Sequence, residues 1–553
     1  MIRNDHMQGT THIAGVETRE VLHAKSSACP LCSFDHQTYL FLRHGARVHR
    51  CANCGLTMLH PQPTDSEILS FYERNIGPDA FASNGQLTSS FTEQDAANAY
   101  VSRLRKHKAP RSRMLLVARK EHPFVTAVES AGFQVETVLD MSELRRTNLA
   151  EEYYDCAVLI FQLEKSSRPI DTLEQIHKAL KPDGLLFLVT PSMDSWSAQF
   201  LRSQWTEWRP ENLYYFDRQT IQAMLLRSGF SHIEISNDRR RYSLQHLYGR
   251  ASTSPRTLLT SLVQAICYPL PDQIRARLRM RLPASGILVT ARRVRRRDRP
   301  LLSIIVPVYN ERSTFVKTME AIIAKELPGA DKEIVVVESN STDGTRELVL
   351  SYQGSHGVKI LLEDRPKGKG SAVRTGFKHA EGDLILIQDA DEEYDVNDYD
   401  ALIDPLITYQ TAFVLGSRHI EGWKIREFNQ QPGVTAFFNL GHLIFAGLLN
   451  LMYGQRMKDP FTMYKVFRRD CLHGLKFECN RFDFDFELVI KLLRKGYTPV
   501  EIPVNYKARS FKEGKKVSAV RDPFTWVRAL AKYRFSSIYH EPEQLGDSHT
   551  AED

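Results

Sequence analysis

The sequence predicts an α/β protein, two doubly wound sheets in tandem behind a small cysteine-stapled ribbon. Two Cys-x-x-Cys knuckles stand near the N-terminus, Cys29-Pro-Leu-Cys32 and Cys51-Ala-Asn-Cys54. From about residue 111 to 297 short apolar runs alternate with amphipathic stretches, the pattern of strands and covering helices in an open sheet. The alternation restarts at Leu302-Ser303-Ile304-Ile305-Val306-Pro307-Val308, nearly all apolar, as a strand covered on both faces must be. At 553 residues the chain exceeds one ordinary core. A composition of 42% hydrophobic and 25% charged residues excludes a mainly disordered or fibrous chain.

The knuckles come first. Each presents two sulfurs from a short loop, and the spacing suits one tetrahedral ion, so Cys29, Cys32, Cys51 and Cys54 are expected to hold a structural zinc. Four protein ligands leave no open position for catalysis. The ribbon is expected over 23–70, after a disordered stretch at 1–22. The opening residues lack the apolar core of a signal peptide, and eight cysteines form no disulfide framework in so long a chain, which points to a reducing, cytoplasmic setting.

The first large unit is expected over 71–297. Its strands are Met114–Ala118, Val135–Leu139, Cys156–Phe161, Leu185–Thr190 and Gly286–Ala291, and a helix Thr172–Leu180 should stop at Lys181-Pro182-Asp183-Gly184. Leu180 to Leu186, Thr190-Pro191-Ser192, Trp205, Asn212 to Phe216 and Ser228-Gly229-Phe230 resemble the class I S-adenosylmethionine-dependent methyltransferases that carry a cysteine-rich N-terminal ribbon. That resemblance implies a Rossmann-type sheet and a glycine-rich turn after the first strand, where backbone approaches the cofactor. Here the turn reads Leu116-Val117-Ala118-Arg119-Lys120-Glu121-His122-Pro123, without glycine. Asp140 can occupy the ribose position, but one carboxylate does not restore the loop. The expectation is therefore a degenerate domain without bound S-adenosylmethionine.

Between the units, Arg275, Arg277, Arg279, Arg281, Arg292, Arg293, Arg295, Arg296, Arg297 and Arg299 crowd a segment whose one acid is Asp298. This is either a solvated linker or a patch for lipid phosphates, nucleic acid or acidic glycans. The net charge of +7, from 73 basic and 66 acidic residues, is too mild to argue for nucleic acid without a motif, and no nucleic-acid partner is expected.

The second large unit is expected over 298–540, with a disordered tail at 541–553. Its first strand ends in Tyr309-Asn310-Glu311, and its second, Glu333–Val337, in Glu338-Ser339-Asn340-Ser341-Thr342-Asp343-Gly344-Thr345. Strand ends of open α/β sheets are where ligands bind. Lys367-Gly368-Lys369-Gly370 precedes a helix Ser371–His379 and suits phosphates, since glycines admit close approach and lysines bring charge. A further strand, Asp383–Gln388, delivers Asp389-Ala390-Asp391-Glu392-Glu393. Such carboxylates hold a hard divalent cation whose other ligands are diphosphate oxygens and water.

Together with Gly416-Ser417-Arg418, Met463 to Arg469, Phe482 to Glu487 and Glu513-Gly514-Lys515-Lys516, these motifs resemble the family 2 glycosyltransferases, in the branch of dolichyl-phosphate mannose synthase and bacterial polyprenyl-phosphate sugar synthases. The resemblance covers roughly 301–535. It implies a GT-A type fold and a metal-dependent, inverting transfer from a nucleotide sugar, UDP- or GDP-linked, to a polyprenyl phosphate or a glycan, as in bacterial cell-surface glycan synthesis. Pro307, Tyr309 and Glu311 would line the nucleotide pocket, with Glu338 near the base. Asp389 and Asp391 would bind Mg or Mn and the diphosphate, Glu393 being a further ligand, with Lys369 neutralising the leaving group. Arg418 would reach the acceptor phosphate. Lys512, Lys515 and Lys516 sit on a loop that can close over the substrates. Two departures stand out: Glu338-Ser339 replaces a usual pair of aspartates, and Glu392 replaces an apolar residue and is expected to point outward.

A lipid phosphate is already ionised at pH 7, its second pKa lying near about 6, and needs no general base. A sugar hydroxyl needs one, and Asp459, Asp483 and Asp485 are then the candidates. Phe437 to Tyr453, apolar but interrupted by Asn439, His442 and Asn450, is too short to span a bilayer and reads as an interfacial or a packing helix. Membrane contact is expected to be peripheral, on the inner face. Two other readings remain at this stage, a bifunctional methyltransferase-glycosyltransferase and a non-catalytic scaffold.

Overall fold

The computed structural model describes residues 28–64, 90–118, 122–253, 258–294, 297–355, 357–418, 432–481, 483–507 and 521–538. The expected tails at 1–22 and 541–553, the end of the ribbon after 64, the turn at 119–121 and Lys512, Lys515 and Lys516 lie outside the described residues.

The ribbon is the antiparallel set β1 (Gln37–Arg43), β2 (Ala46–Cys51) and β3 (Thr57–Leu59). His44 and Gly45, both at positive φ of 49° and 79°, make the two-residue turn between β1 and β2, whose twist matches the strands it joins. The next unit contains β4 (Arg113–Val117), β5 (Gln134–Val138), β6 (Tyr154–Ile160), β7 (Leu180–Pro191), the short β8 (Tyr214–Tyr215), β9 (Phe230–Ser243) and β10 (Arg279–Arg293). Its sheet runs β5-β4-β6-β7-β10-β9, parallel through β7 and antiparallel beyond. β8 leaves this sheet and pairs with β3. Cys29, Leu31, Cys51, Leu56 and Met58 accordingly share one buried core with Leu115, Leu186, Phe216 and Phe230.

Three expectations change here. The stop at Lys181–Gly184 is an excursion inside β7, which pairs Leu180 with Tyr154 and next Leu185 with Cys156, Asp183 taking φ 59°. The expected strand Gly286–Ala291 is the middle of a long arm, paired with β9 around the helices Leu244–Thr253, Leu258–Cys267 and Asp272–Arg277. The arginine patch is split. Arg293 binds Glu152 at 2.9 Å, Arg297 binds Asp383 at 3.3 Å and Arg299 binds Asp331 at 3.0 Å, so its C-terminal part clasps the protein.

The last unit adds β11 (Leu301–Val308), β12 (Asp331–Glu338), β13 (Val358–Leu362), β14 (Leu384–Ile387), β15 (Phe413–Ser417), β16 (Lys465–Arg468) and β17 (Val500–Pro503). They order as β13-β12-β11-β14-β16-β15-β17. β13, β12, β11 and β14 run parallel and β16 runs against its neighbours. Leu302, Ile304, Ile305 and Val306 are fully buried, each contributing about 1.5–3 kcal/mol of transfer free energy. The apolar run thus fixes the central strand, and the polar residues after it collect at the carboxyl edge.

Candidate active site

The four knuckle sulfurs converge, all within 4.8 Å of one another, with Cys29 to Cys54 and Cys32 to Cys51 at 3.5 Å. A tetrahedral zinc with Zn–S bonds near about 2.3 Å requires sulfurs a little under about 4 Å apart, so these thiols fit zinc. Cys29 and Cys51 are buried among apolar side chains and Cys32 and Cys54 half-buried against them, a closed set that suits a structural ion.

The second cluster lies at the carboxyl ends of β11, β12 and β14. Asn310 and Asn340 turn the chain at positive φ of 51° and 58°, a conformation asparagine tolerates. The turns are tied together: Asn310 N–H donates to Ser341 Oγ at 2.9 Å, Glu311 N–H to Thr345 Oγ1 at 3.0 Å, and Thr342 N–H to Asn310 Oδ1 at 2.9 Å. Thr314 Oγ1 donates to the Ala390 carbonyl at 3.0 Å and to Glu311 Oε2 at 3.2 Å, joining the first strand end to the acidic loop. Pro307 pairs with Val337, and the β11 pairing ends one residue later with Val308 opposite Glu338, just before Tyr309. Glu338 is fully buried, accepting from Ser341 N–H at 2.6 Å and facing Arg346 Nε at 3.5 Å.

Lys369 donates to Asp389 Oδ1. Burial alone would depress its ammonium, but Asp389, Asp485 and Asp391 hold its pKa above the usual lysine value. Gly368 and Gly370 let the lysine turn approach residues 479–484. A Cβ on Gly368 would stand 2.4 Å from the Asn480 carbonyl oxygen, and one on Gly370 2.6 Å from Phe484 Cβ. Asp391 is nearly buried and accepts from Glu393 N–H at 3.2 Å. Glu392 turns outward to Lys317 at 2.9 Å, as expected. Glu393 does not join the aspartates: its Oε2 accepts from the Tyr506 hydroxyl at 3.1 Å. Among the described residues the cysteines are the one group of three or more potential ligands that converge. Asp389 and Asp391 therefore supply two carboxylates, a set that fits a hard cation completing its shell with diphosphate and water.

Arg418 meets a partner that the sequence did not assign to it. Its Nε and Nη2 donate to Asp459 Oδ2 and Oδ1, each at 2.8 Å, and both side chains are almost wholly buried. A guanidinium leaves water at tolerable cost only when paired in this way, so the fork faces Asp459. Asp459 is fixed by the same pair. Burial opposes its ionisation, yet Arg418 holds the carboxyl far below the usual carboxylate range, which unfits it as a proton acceptor. Asp485 faces the buried Lys465 at 3.2 Å, and Asp483 accepts from Arg481 N–H at 3.1 Å.

Other residues of the cluster escaped the sequence reading. Gln388 donates to the Asp389 carbonyl at 3.0 Å while its own oxygen accepts from Tyr399 and Tyr464 at 2.8 Å each. Glu363 accepts from Ser339 at 2.7 Å and Ser371 at 3.1 Å, tying the end of β12 to the lysine helix. A polar glutamine closing the apolar run before Asp389 was a legible signal. Glu363, after an edge strand, left none.

In the middle unit Asp140 accepts from Glu143 N–H at 2.9 Å, capping the helix Met141–Arg146. Phe161 follows β6 with the Arg240 guanidinium 5.0 Å above its ring, and Arg240 is clamped by Asp238 at 2.8 Å.

Comparisons with known proteins agree with this division. The family model for glycosyl transferase family 2 matches residues 303–475, and a methyltransferase domain model matches 74–235. Dolichol-phosphate mannosyltransferase of Pyrococcus furiosus is 30% identical over 214 residues, 39% of this chain and 58% of the relative. Dolichyl-phosphate beta-glucosyltransferase of Trichomonas vaginalis is 30% identical over 218 residues, 37% of this chain and 63% of the relative. The chain thus spans about six-tenths of the length of these relatives. Among solved structures, glucosyl-3-phosphoglycerate synthase of M. tuberculosis matches at 18% identity over 42% of this chain and 80% of that one, with a TM-score of 0.33. Among the described residues no helix is long and apolar enough to cross a membrane. Residues 303–475 match glycosyl transferase family 2, and they follow a stretch that matches a methyltransferase domain and is preceded by a four-cysteine cluster.

Proposed function

We propose that the C-terminal unit is a divalent-metal-dependent, inverting glycosyltransferase that moves a sugar from a nucleoside diphosphate sugar to a polyprenyl phosphate. The observation that carries this reading is the joining of Lys369, Asp389 and Asp391 at the carboxyl edge of a family 2 domain. A cation bound by the two aspartates would neutralise the departing diphosphate. Lys369, kept protonated by its acidic neighbours, adds a second positive charge on the same side. Pro307, Tyr309 and Glu311 border the nucleotide, and Gln388 holds the acidic loop in place.

The acceptor follows from which bases are occupied. Asp459 is locked to Arg418, Asp485 faces Lys465 and Asp483 accepts from backbone. An acceptor that arrives ionised suits this site better than a hydroxyl. The helix Pro432–Tyr453 points the same way. It buries Ala446 and Leu449, brings His442 Nε2 within 3.9 Å of Asp459, and exposes Leu440, Leu443, Ile444 and Leu451, an apolar stripe beside the site that suits a prenyl chain. Relatives named for dolichol phosphate and undecaprenyl phosphate support a lipid acceptor, and with it a peripheral place on the inner membrane face. The middle unit serves as a zinc-stapled scaffold that does not methylate.

Calorimetric titration with UDP and GDP, each with and without Mn²⁺, is the test. Metal-dependent binding of one nucleotide is expected, and Asp391→Ala should abolish both that dependence and transfer while the protein stays folded. Full transfer by Asp391→Ala would overturn the metal assignment, and binding of neither nucleotide would overturn the reading.

A further inference from the structure

The acidic loop carries the two carboxylates of the transfer site, and its position is set by residues far along the chain. It runs from Asp389 to Asp395, between β14 and the short helix Val396–Asp398. Its middle is held from one side, where the Thr314 and Thr318 hydroxyls donate to the Ala390 carbonyl at 3.0 and 3.4 Å. Both of its ends meet a single side chain. Tyr464, just before β16, places its hydroxyl 2.8 Å from Gln388 Oε1, at the residue before Asp389, and 2.9 Å from the Asp395 carbonyl.

This arrangement follows from what a phenol needs when it leaves water. Tyr464 is fully buried, so its hydroxyl must find partners inside the protein. Burial, and then the neighbouring Tyr399 and Asp398, raise its pKa far above the ordinary tyrosine value, which keeps the proton available for donation. Its backbone is fixed by β15, whose Gly416 N–H donates to the Tyr464 carbonyl at 2.8 Å. Its ring packs 4.4 Å from that of Tyr394, a residue of the loop whose own hydroxyl accepts from the Met463 N–H at 2.9 Å. On the Gln388 side a second phenol, Tyr399, also donates to Oε1 at 2.8 Å. Two donors on one oxygen decide which way the amide points, so Nε2 is turned to the Asp389 carbonyl at 3.0 Å. At the Asp395 carbonyl the other donor is the Asp398 N–H at 3.3 Å, a bond within the turn itself.

We infer that Tyr464 is the positioning residue of the metal site, its one hydroxyl holding both ends of the loop Asp389–Asp395 so that Asp389 and Asp391 face the cation together. This rests on the divalent-metal reading of those two aspartates. Tyr464 touches neither carboxylate and acts through Gln388 and the loop backbone. Groups that orient metal ligands in this way are worth roughly 10- to 100-fold in metal affinity.

The experiment is calorimetric titration of the full-length protein with GDP and UDP across a series of Mn²⁺ concentrations, together with hydrogen exchange of the metal-free protein. Tyr464→Phe keeps the packed ring and loses the hydroxyl. It should raise the Mn²⁺ concentration for half-maximal nucleotide binding about tenfold, speed exchange at residues 389–395, and leave both circular dichroism and nucleotide affinity at saturating Mn²⁺ as in wild type. Tyr399→Phe, which leaves the Asp395 end held, should shift the Mn²⁺ midpoint less. An unchanged midpoint in Tyr464→Phe overturns the inference. So does an equal shift in Tyr399→Phe, which would assign the effect to Gln388 alone. If Tyr464→Phe does not fold, Gln388→Met takes its place: a raised midpoint supports the inference and an unchanged one overturns it. Wild-type protein whose nucleotide binding ignores Mn²⁺ overturns the metal reading and this inference with it, whereas a metal-dependent wild type beside an indifferent Tyr464→Phe counts against this inference alone.

Discussion

Two buried acids set opposite demands on the protein. Asp459 is ionised because Arg418 compensates it, and removing one member of such a pair strands the other. Asp459→Ala should therefore cost about 3–5 kcal/mol, read as a lower urea midpoint, whereas an exposed pair such as Lys317 with Glu392 should cost under about 1 kcal/mol. Among the described residues Glu164 makes no salt bridge, and the neighbouring Lys165 offsets its burial only in part. Burial pushes its carboxyl up to about 7 from 4.5, with Thr190 donating to one oxygen at 3.0 Å. Between those two values the folded chain holds a proton that the unfolded chain has lost, so stability is greatest below about 4.5 and falls as pH rises through 7. The span corresponds to about 3 kcal/mol. Glu164→Gln should flatten this dependence and raise the melting temperature at pH 8, with little effect near pH 4.5.

At the scale of elements, the lysine turn and the loop before the helix Asp483–Lys495 are fitted to one another. Gly370→Ala would drive a Cβ to 2.6 Å from Phe484 Cβ and 2.7 Å from the Cys479 carbonyl. Neither neighbour is the end of a flexible chain. Overpacking of about 1–3 kcal/mol is expected, together with displacement of Lys369 from Asp389 and a loss of transfer larger than the loss of stability, measured as turnover against denaturant midpoint. The glycine was legible as permission for close approach; what approaches it was not, because Phe484 comes from more than a hundred residues away. The same division holds elsewhere. Apolar runs such as Leu302–Val306 predicted their strands because burial on both faces leaves a local signature. The pairing of the Arg418 fork with Asp459 was not legible because it is set by tertiary contact. The Phe230–Ser243 arm was missed because its charged and polar residues obscure the alternation of a strand.

For the whole molecule, the ribbon is not an appendage. β3 pairs with β8, Arg227 donates to the Pro30 carbonyl at 3.2 Å, and Val48 and Leu59 share a cluster with Trp205 and Trp208. Zinc removal by chelation, or Cys51→Ser, should therefore loosen the first two units together, with a red shift in tryptophan emission, while nucleotide binding in the last unit persists. A ribbon melting alone, with unchanged emission, would contradict the shared core. The pairing also bears on the order in which the protein is made. At about 5–20 residues per second, the strand that closes the ribbon's open edge leaves the ribosome on the order of 10–30 s after β3. During that interval the cysteines are complete and able to capture their ion, but Leu56 and Met58 lack Leu213 and Tyr214, and Leu59 lacks Trp205, Trp208 and Tyr215, with which they share buried clusters. Metal supply and chaperone cover during translation should then limit the yield of this protein more than the final stability of either half.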